Sequence, residues 1–126
     1  MKSSRRHLLL AGTAFFVIPS MSRAAATLTV HISAEQTAFE PPQIEAKVGD
    51  TVEWINESIV AHTVTCDPAK VADKKNCALP EGAKAFDSGD MEYQANFTQV
   101  FTVPGTYRYF CIPHENMDMV GTVVVT

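Results

Sequence analysis

Residues 105–125 have the sequence GTYRYFCIPHENMDMVGTVVV. Two runs rich in β-branched and aromatic residues, 106–111 and 122–125, flank a short polar loop. Runs of this composition are typical of β-strands. The loop carries Cys111, His114, Met117 and Met119, which are a thiol, an imidazole and two thioethers within nine residues. The stretch therefore predicts two strands joined by a loop of candidate metal ligands.

The chain after residue 26 repeats this pattern of short β-rich runs. The further runs are 27–32, 43–48, 51–55, 62–65 and 96–103. No long segment has helical periodicity. Pro104-Gly105, a turn dipeptide between two of the runs, predicts a β-hairpin. Several short strands separated by turn signals predict an all-β fold, which is an antiparallel sandwich or barrel.

Residues 67–93 interrupt the β-rich pattern. This polar stretch holds four of the six Lys and Arg residues that follow residue 26, and it has turn residues at Pro80, Gly82 and Gly89. A connection of roughly 25 residues is long for a compact domain, and such loops are usually functional or held down by contacts of their own.

The first 26 residues have the order of an export signal. Lys2, Arg5 and Arg6 form a basic start, an apolar run covers 8–18, and three alanines occupy 24–26. This is the arrangement of a cleaved signal peptide. The apolar run is shorter than the roughly 20 residues that a membrane span needs, so no stable membrane insertion is expected.

The paired arginines favour twin-arginine export over the general secretory route, which stays open as the alternative. We expect cleavage after Ala26, with Ala24 as the other candidate. The mature chain is then a single domain over residues 27–126, located in the bacterial periplasm.

Charge separates the two parts of the chain. The whole sequence has 10 Lys and Arg against 14 Asp and Glu. Four of the basic residues and none of the acidic ones lie before residue 27, which leaves a formal charge of −8 on the remainder. This acidic balance argues against nucleic-acid binding. It suits either a basic protein partner or ordinary solubility.

The ligand types in the loop after Cys111 favour copper. Soft sulfur ligands combined with imidazole are typical of copper, and two histidines, one cysteine and a weak axial methionine form the electron-transfer copper site. His62 is a better second histidine than His31, which lies in the middle of a predicted strand. Zinc is the other metal considered, but structural zinc usually takes four strong nitrogen or sulfur ligands and no thioether.

The sequence resembles the cupredoxins of the plastocyanin, amicyanin and pseudoazurin group. The matching residues are 47–56, 61–64, 105–114 and 119–125, which cover nearly all of the chain after residue 26 except the loop 67–93. The resemblance implies a Greek-key β-sandwich with one type 1 (blue) copper ion. It also implies a soluble electron carrier that cycles between Cu(I) and Cu(II).

The resemblance also assigns site residues. It makes His62, Cys111 and His114 the equatorial copper ligands. Amicyanin-like spacing places the axial methionine at Met117, and plastocyanin-like spacing places it at Met119. We expect Met119. In this family the axial methionine is usually followed one residue later by the glycine that opens the last strand, and here that glycine is Gly121, two residues after Met119.

Further roles follow from the same resemblance. The backbone N–H of Thr63 is expected to donate to the Cys111 thiolate, and Asn56 to anchor a loop beside the ligands. Ile112, Pro113 and Val60 are expected to form a small apolar docking patch around His114. Small contact areas suit the weak, fast encounters of redox partners.

Cys66 and Cys77 are the two cysteines that remain once Cys111 is assigned to copper. An oxidising compartment allows disulfides, so we expect Cys66 and Cys77 to be bonded, with two free thiols as the alternative. The bond would close a loop of about a dozen residues and would contribute roughly 2–3 kcal/mol.

Three classes of function follow from these features. The first is a monomeric electron carrier whose partner is a c-type cytochrome or another periplasmic oxidoreductase. The second is a periplasmic copper delivery or storage protein on the same fold. An enzyme is not expected, because catalytic copper proteins need more histidines and His31 is the only spare one after residue 26.

Overall fold

The computed structural model describes residues 11–18 and 23–126. Most of the predicted export signal, including Arg5 and Arg6, lies outside the described residues. In the described part, nine strands are present. They are β1 (Thr27–Ile32), β2 (Phe39–Glu40), β3 (Gln43–Ala46), β4 (Thr51–Asn56), β5 (Thr65–Cys66), β6 (Phe86–Asp87), β7 (Asn96–Val100), β8 (Gly105–Phe110) and β9 (Val120–Val125). Two short 3-10 helices cover Lys74–Asn76 and Ile112–Met117.

The strands form two sheets that enclose one core. One sheet has the order β2-β1-β4-β7, and the other has the order β3-β9-β8-β5-β6. Alternate residues of β4 and β9 are buried, which is the pattern of a strand with one face on a core. The predicted all-β sandwich is confirmed. Among the described residues, no helix has both the length and the apolar character needed to cross a membrane.

Two strand pairs run parallel, which differs from the purely antiparallel expectation. β1 lies parallel to β4, and β3 lies parallel to β9. Parallel neighbours need a connection that leaves the sheet and returns. β3 supplies this connection for the first pair, because it lies between β1 and β4 in the chain but belongs to the opposite sheet.

The hairpin predicted at Pro104-Gly105 is wrong. β7 pairs with β4 in one sheet and β8 pairs with β9 in the other, so the chain crosses between the layers here. The physical reason is burial of two aromatic side chains on either side of the crossing. The rings of Phe101 and Tyr107 pack at 4.8 Å, and the Tyr107 hydroxyl donates to the Val103 carbonyl at 2.7 Å.

Aromatic rings fill the space between the sheets. Trp54 on β4 is completely buried, and its ring lies 5.3 Å from that of Tyr109 on β8 in a T-shaped arrangement. A Cβ atom on Gly121 of β9 would lie 2.2 Å from the Tyr109 ring, so this strand position needs glycine. Tight packing here fixes β8 and β9, the two strands that carry the ligand loop between them.

The long segment 67–93 is held to the sheets at several points. β6 pairs with β5, and Ala78 forms an isolated bridge with Arg108 of β8. The Lys70 ammonium also contacts the Asp87 carboxylate at 2.6 Å. The long segment is therefore held down by contacts of its own, which is one of the two alternatives that its length suggests.

Candidate metal centre

Three of the predicted ligands meet at one end of the sandwich. The ligand atoms of His62, Cys111 and His114 all lie within 4.8 Å of one another. Among the described residues, these three form the cluster of His, Cys, Asp or Glu side chains that could hold a metal ion. The Cys111 Sγ atom lies 3.7 Å from His62 Nδ1 and 3.3 Å from His114 Nδ1. These separations let one ion contact all three atoms.

Backbone pairing fixes His62 in the interior. Its N–H donates to the Met91 carbonyl at 3.2 Å, and the Met91 N–H donates back to the His62 carbonyl at 2.8 Å. The His62 side chain is only 2% exposed. Met91, which sequence reasoning did not single out, thus determines where this imidazole lies.

Cys111 and His114 are held by the turn that follows β8. Cys111 comes directly after the last residue of β8 and is completely buried. Its N–H donates to the Met119 carbonyl at 3.1 Å, and its carbonyl accepts the His114 N–H at 3.2 Å. The turn therefore closes on itself and brings a half-buried His114 back toward the sulfur.

Thr63 makes the contact expected of it. Its backbone N–H donates to Cys111 Sγ at 3.3 Å. Its side-chain oxygen also accepts the N–H of Ile112 at 2.9 Å and shares a hydrogen bond with Thr65 Oγ1 at 2.8 Å. This buried residue therefore links β5 to both the Cys111 sulfur and the backbone of Ile112.

Asn56 anchors the loop that leads to His62. This completely buried amide donates to the carbonyls of Val60 and Met91, at 3.0 and 2.8 Å, and accepts the N–H of Ser58 at 2.9 Å. A buried side-chain amide with these partners fixes both segments that flank the imidazole.

The two candidate axial methionines lie in different environments. Met119 is completely buried, and its N–H donates to the His114 carbonyl at 3.4 Å. Met117 is 57% exposed and borders an open pocket that is also lined by Val60, His62 and His114.

Burial sets the protonation of the ligands when no ion is bound. It raises the pKa of the Cys111 thiol and lowers the pKa of His62, with a smaller lowering from nearby His114. Cys111 is therefore a thiol and His62 a neutral imidazole at neutral pH. A metal ion that binds here displaces the thiol proton. A buried thiolate and two imidazoles, with two methionines in the same turn, fit a soft ion such as copper better than an oxygen-preferring cation.

His31 takes no part in this cluster. Its Nδ1 atom pairs with the Glu57 carboxylate on the exposed surface of the first sheet. This position, on strand β1 and away from the three ligands, agrees with the preference for His62 over His31.

The residues expected to form a docking patch are exposed. Ile112 is 43% and Val60 50% exposed, and Pro113 is also exposed. The structure adds Met117, which is exposed and lines the same pocket as Val60 and His114. Glu35, Glu40 and Glu57 border a neighbouring pocket that shares the segment 33–36 with the pocket at His114.

Glu115, directly after His114, was missed by sequence reasoning. This carboxylate is only 8% exposed. It accepts the N–H groups of Ala72 and Asp73, both at 2.9 Å, and the side-chain amide of Asn76 at 3.0 Å. The ligand turn is therefore bonded to the first 3-10 helix. A charged residue next to a ligand is the only signal in the sequence, and it equally fits a solvated loop residue.

The disulfide expected between Cys66 and Cys77 is not present in the structure. Both residues are free thiols. Cys66 is completely buried, and its thiol donates to the Ala78 carbonyl at 3.3 Å, so it is satisfied without a covalent partner. Burial raises the pKa of each thiol.

A sequence-family model described as "Copper binding proteins, plastocyanin/azurin family" matches residues 26–126. Among curated proteins, the plastocyanin of Nostoc punctiforme is 33% identical over 135 residues, which cover 98% of this chain and 94% of that protein. The plastocyanin of Scenedesmus fuscus is also 33% identical, over 78% of this chain and 98% of its own length.

Solved structures of copper proteins are similar to this chain as well. A reduced amicyanin variant superimposes with a TM-score of 0.62 at 31% identity, and the match covers 87% of this chain and 97% of that one. A pseudoazurin from Sinorhizobium superimposes with a TM-score of 0.61 at 27% identity, over 80% of this chain and 74% of that one.

Proposed function

Because the chain belongs to the plastocyanin/azurin family of copper-binding proteins, we propose that it is a periplasmic electron carrier that cycles one copper ion between Cu(I) and Cu(II). The resemblance to cupredoxins is confirmed, and copper is the metal of the family. Its relatives are electron carriers and not enzymes, which confirms the expectation of a non-enzymatic protein.

The observation that carries the proposal is the convergence of Cys111 Sγ with the Nδ1 atoms of His62 and His114. These three atoms would hold the copper ion together with the thioether of Met119, which is completely buried in the same turn. Copper bound by this set supplies a single-electron couple.

The protein contributes rigidity around the ligands. Asn56 and Met91 hold His62, and the closed turn from Cys111 to Met119 holds the other ligands. The Thr63 N–H directed at Cys111 Sγ stabilises negative charge on sulfur and so tunes the reduction potential. Side chains fixed in this way change little between oxidation states, which favours fast electron transfer.

His114 provides the route for the electron to the surface. It is the more exposed of the two imidazoles, and it borders the open pocket between Val60 and Met117. Ile112, Pro113 and Val60 give a partner a small apolar contact area around this ring. A c-type cytochrome with a basic surface is the partner that we propose, because carboxylates border the same side and the domain carries a charge of −8.

Export to the periplasm rests on the amino-terminal signal, and we propose that the exported chain is a monomer. The two routes left open by the sequence, twin-arginine and general secretory export, differ in their need for Arg5 and Arg6. Replacing both by lysine abolishes export by the first route and leaves the second intact.

A copper delivery protein is the second candidate, and the exposed thioether of Met117 beside His114 is the feature that favours it. The two functions differ in how firmly copper is held. A carrier retains copper through repeated oxidation and reduction, whereas a delivery protein releases Cu(I) to a competing chelator.

The experiment is copper loading of the exported protein, followed by visible spectroscopy, voltammetry and a chelator challenge. We expect an intense visible thiolate-to-copper band, a reversible one-electron wave and slow loss of Cu(I). The variant Cys111→Ser loses the band, and His31→Ala retains it as the matched control. A colourless complex that gives up Cu(I) readily supports delivery instead.

A further inference from the structure

Asp50, just before β4, is a buried carboxylate with four hydrogen-bond donors. Its side chain is 1% exposed. The two guanidinium nitrogens of Arg23 donate to its oxygens at 2.9 and 3.0 Å, and the N–H groups of Ala26 and Lys47 donate at 2.9 Å each. A carboxylate in such a position requires both hydrogen bonds and a neighbouring cation.

Ala26 is part of the folded domain. Its carbonyl accepts the N–H of Thr51 at 2.9 Å, directly before the parallel pairing of Thr27 with Thr51. Its N–H is one of the donors to Asp50. Both backbone groups of Ala26 therefore add to the junction between β1 and β4.

The two cleavage points compatible with the sequence have different consequences at this junction. Cleavage after Ala26 creates an α-ammonium group on Thr27, but it removes Arg23 and Ala26 together. Asp50 then keeps only Lys47 of its donors, and the Thr51 N–H loses its acceptor. Cleavage after Ala24 removes Arg23 but keeps Ala26. It also creates an α-ammonium group on Ala25, one residue from the N–H that already bonds Asp50.

We propose that the export signal is cleaved between Ala24 and Ala25, and that the new α-ammonium of Ala25 replaces the Arg23 guanidinium as the cation paired with Asp50. The step is hydrolysis by a signal peptidase. Water adds across the Ala24–Ala25 peptide bond, the new carboxylate leaves with the signal, and the amine takes up a proton. The small residues Ser22 and Ala24 in the sequence satisfy the preference of such peptidases.

The inference rests on the export step of the proposed function. It gives the same carboxylate two successive cations, arginine before processing and the chain's own amino terminus afterwards. Asp50 therefore couples correct processing to the stability of the β1–β4 junction.

The first test uses the full 126-residue chain, expressed in a bacterium that exports it. The mature protein is isolated from the periplasm, and its amino terminus is determined by intact mass and terminal sequencing. We expect the terminus Ala25-Ala26-Thr27. A terminus at Thr27, or one that keeps Arg23, overturns the inference while leaving export itself established. Full-length protein confined to the cytoplasm contradicts the proposed export as well.

The second test measures the ion pair. An α-amine paired with a carboxylate is harder to deprotonate, so an amine-acylating reagent at pH 7 should label it several-fold more slowly in the exported protein than in its Asp50→Asn variant. Labelling of the exposed Lys84 in the same sample is the internal control. Equal α-amine rates in the two proteins overturn the pairing. If the variant does not fold, labelling of the native protein before and after urea unfolding gives the same comparison.

Discussion

Met117 and Met119 stand two residues apart, one mostly exposed and the other completely buried. The first prediction uses this contrast. In Met119→Gln, a harder oxygen donor replaces the thioether and favours Cu(II), so the reduction potential falls and the visible spectrum shifts. Met117→Leu is the matched control and should leave both nearly unchanged. Voltammetry and absorption spectra of the copper-loaded variants decide, and a larger effect from Met117→Leu would reverse the axial assignment.

Thr63 gives a second prediction, which concerns stability. Thr63→Val keeps the shape of the side chain and the backbone N–H to Cys111, but it leaves the Ile112 N–H without an acceptor. We expect the free energy of unfolding to fall by about 1–3 kcal/mol, as measured by denaturant titration. Thr98→Val on the exposed face of β7 is the control and should change little. If Thr63→Val lowers the free energy of unfolding no more than Thr98→Val does, the hydrogen bond from the Ile112 N–H does not stabilise the fold.

Sequence reasoning worked best where partners are close in the chain. Cys111 and His114 are three residues apart in one turn, so ligand spacing alone brought them together. His62 needed the family resemblance as well. Glu115 could not be predicted, because its partners lie at residues 72–76, about forty positions earlier, and nothing local distinguishes a buried loop carboxylate from a solvated one.

At the scale of elements, the contact between Glu115 and the 3-10 helix Lys74–Asn76 holds the ligand turn in place. Glu115→Ala leaves three donors without an acceptor, so we expect a loss of about 1–3 kcal/mol in unfolding free energy and faster release of copper to a chelator. Glu115→Gln should recover part of the loss, because one oxygen acceptor remains. Exposed Glu81→Ala is the control. Unchanged copper release in Glu115→Ala would limit the carboxylate to a role in folding.

Asp87, at the end of β6, connects the segment 67–93 to β5 through Thr65, and it predicts how stability depends on pH. Burial opposes its ionisation, but hydrogen bonds from Lys70, Gly89 and Thr65 outweigh this and lower the pKa of the carboxyl. A lowered folded-state pKa stabilises the protein above the unfolded value of about 3.9, and this contribution is lost as the pH falls through the folded pKa. Asp87→Asn should therefore lower the melting temperature at pH 7, and the difference should shrink toward pH 3. A difference that is independent of pH would exclude ionisation as the cause.

The same distinction between local and distant information explains the fold. Alternation within β1, β4, β8 and β9 is a local property, and the sequence predicted these strands to within one or two residues. Which strands pair is not local. Pro104-Gly105 fits a hairpin by composition, but burial of Phe101 and Tyr107 directs the chain across to the other sheet. The disulfide expected between Cys66 and Cys77 failed for the same reason. The cellular compartment and the number of cysteines do not determine how two side chains are placed in the fold.

At the scale of the whole molecule, three of the acidic residues of the domain lie near the proposed electron route. Glu35, Glu40 and Glu57 line a pocket next to the one that contains His114, so we expect a basic partner to be attracted toward this imidazole. Long-range attraction of this kind mainly raises the association rate and is screened by salt.

Stopped-flow oxidation of the reduced protein by a basic c-type cytochrome tests this attraction. The second-order rate constant should fall as ionic strength rises from about 0.01 to 0.15 M, where the screening length shortens from about 30 to 8 Å. Glu35→Lys should reduce the rate at low salt. Glu81→Lys carries the same change in net charge and is the control, because neighbouring Pro80 packs against Gly105, at the opposite end of β8 from Cys111. If the two variants reduce the rate equally, only the net charge matters and its position does not. If the rate does not depend on salt, the acidic surface serves solubility and not partner attraction.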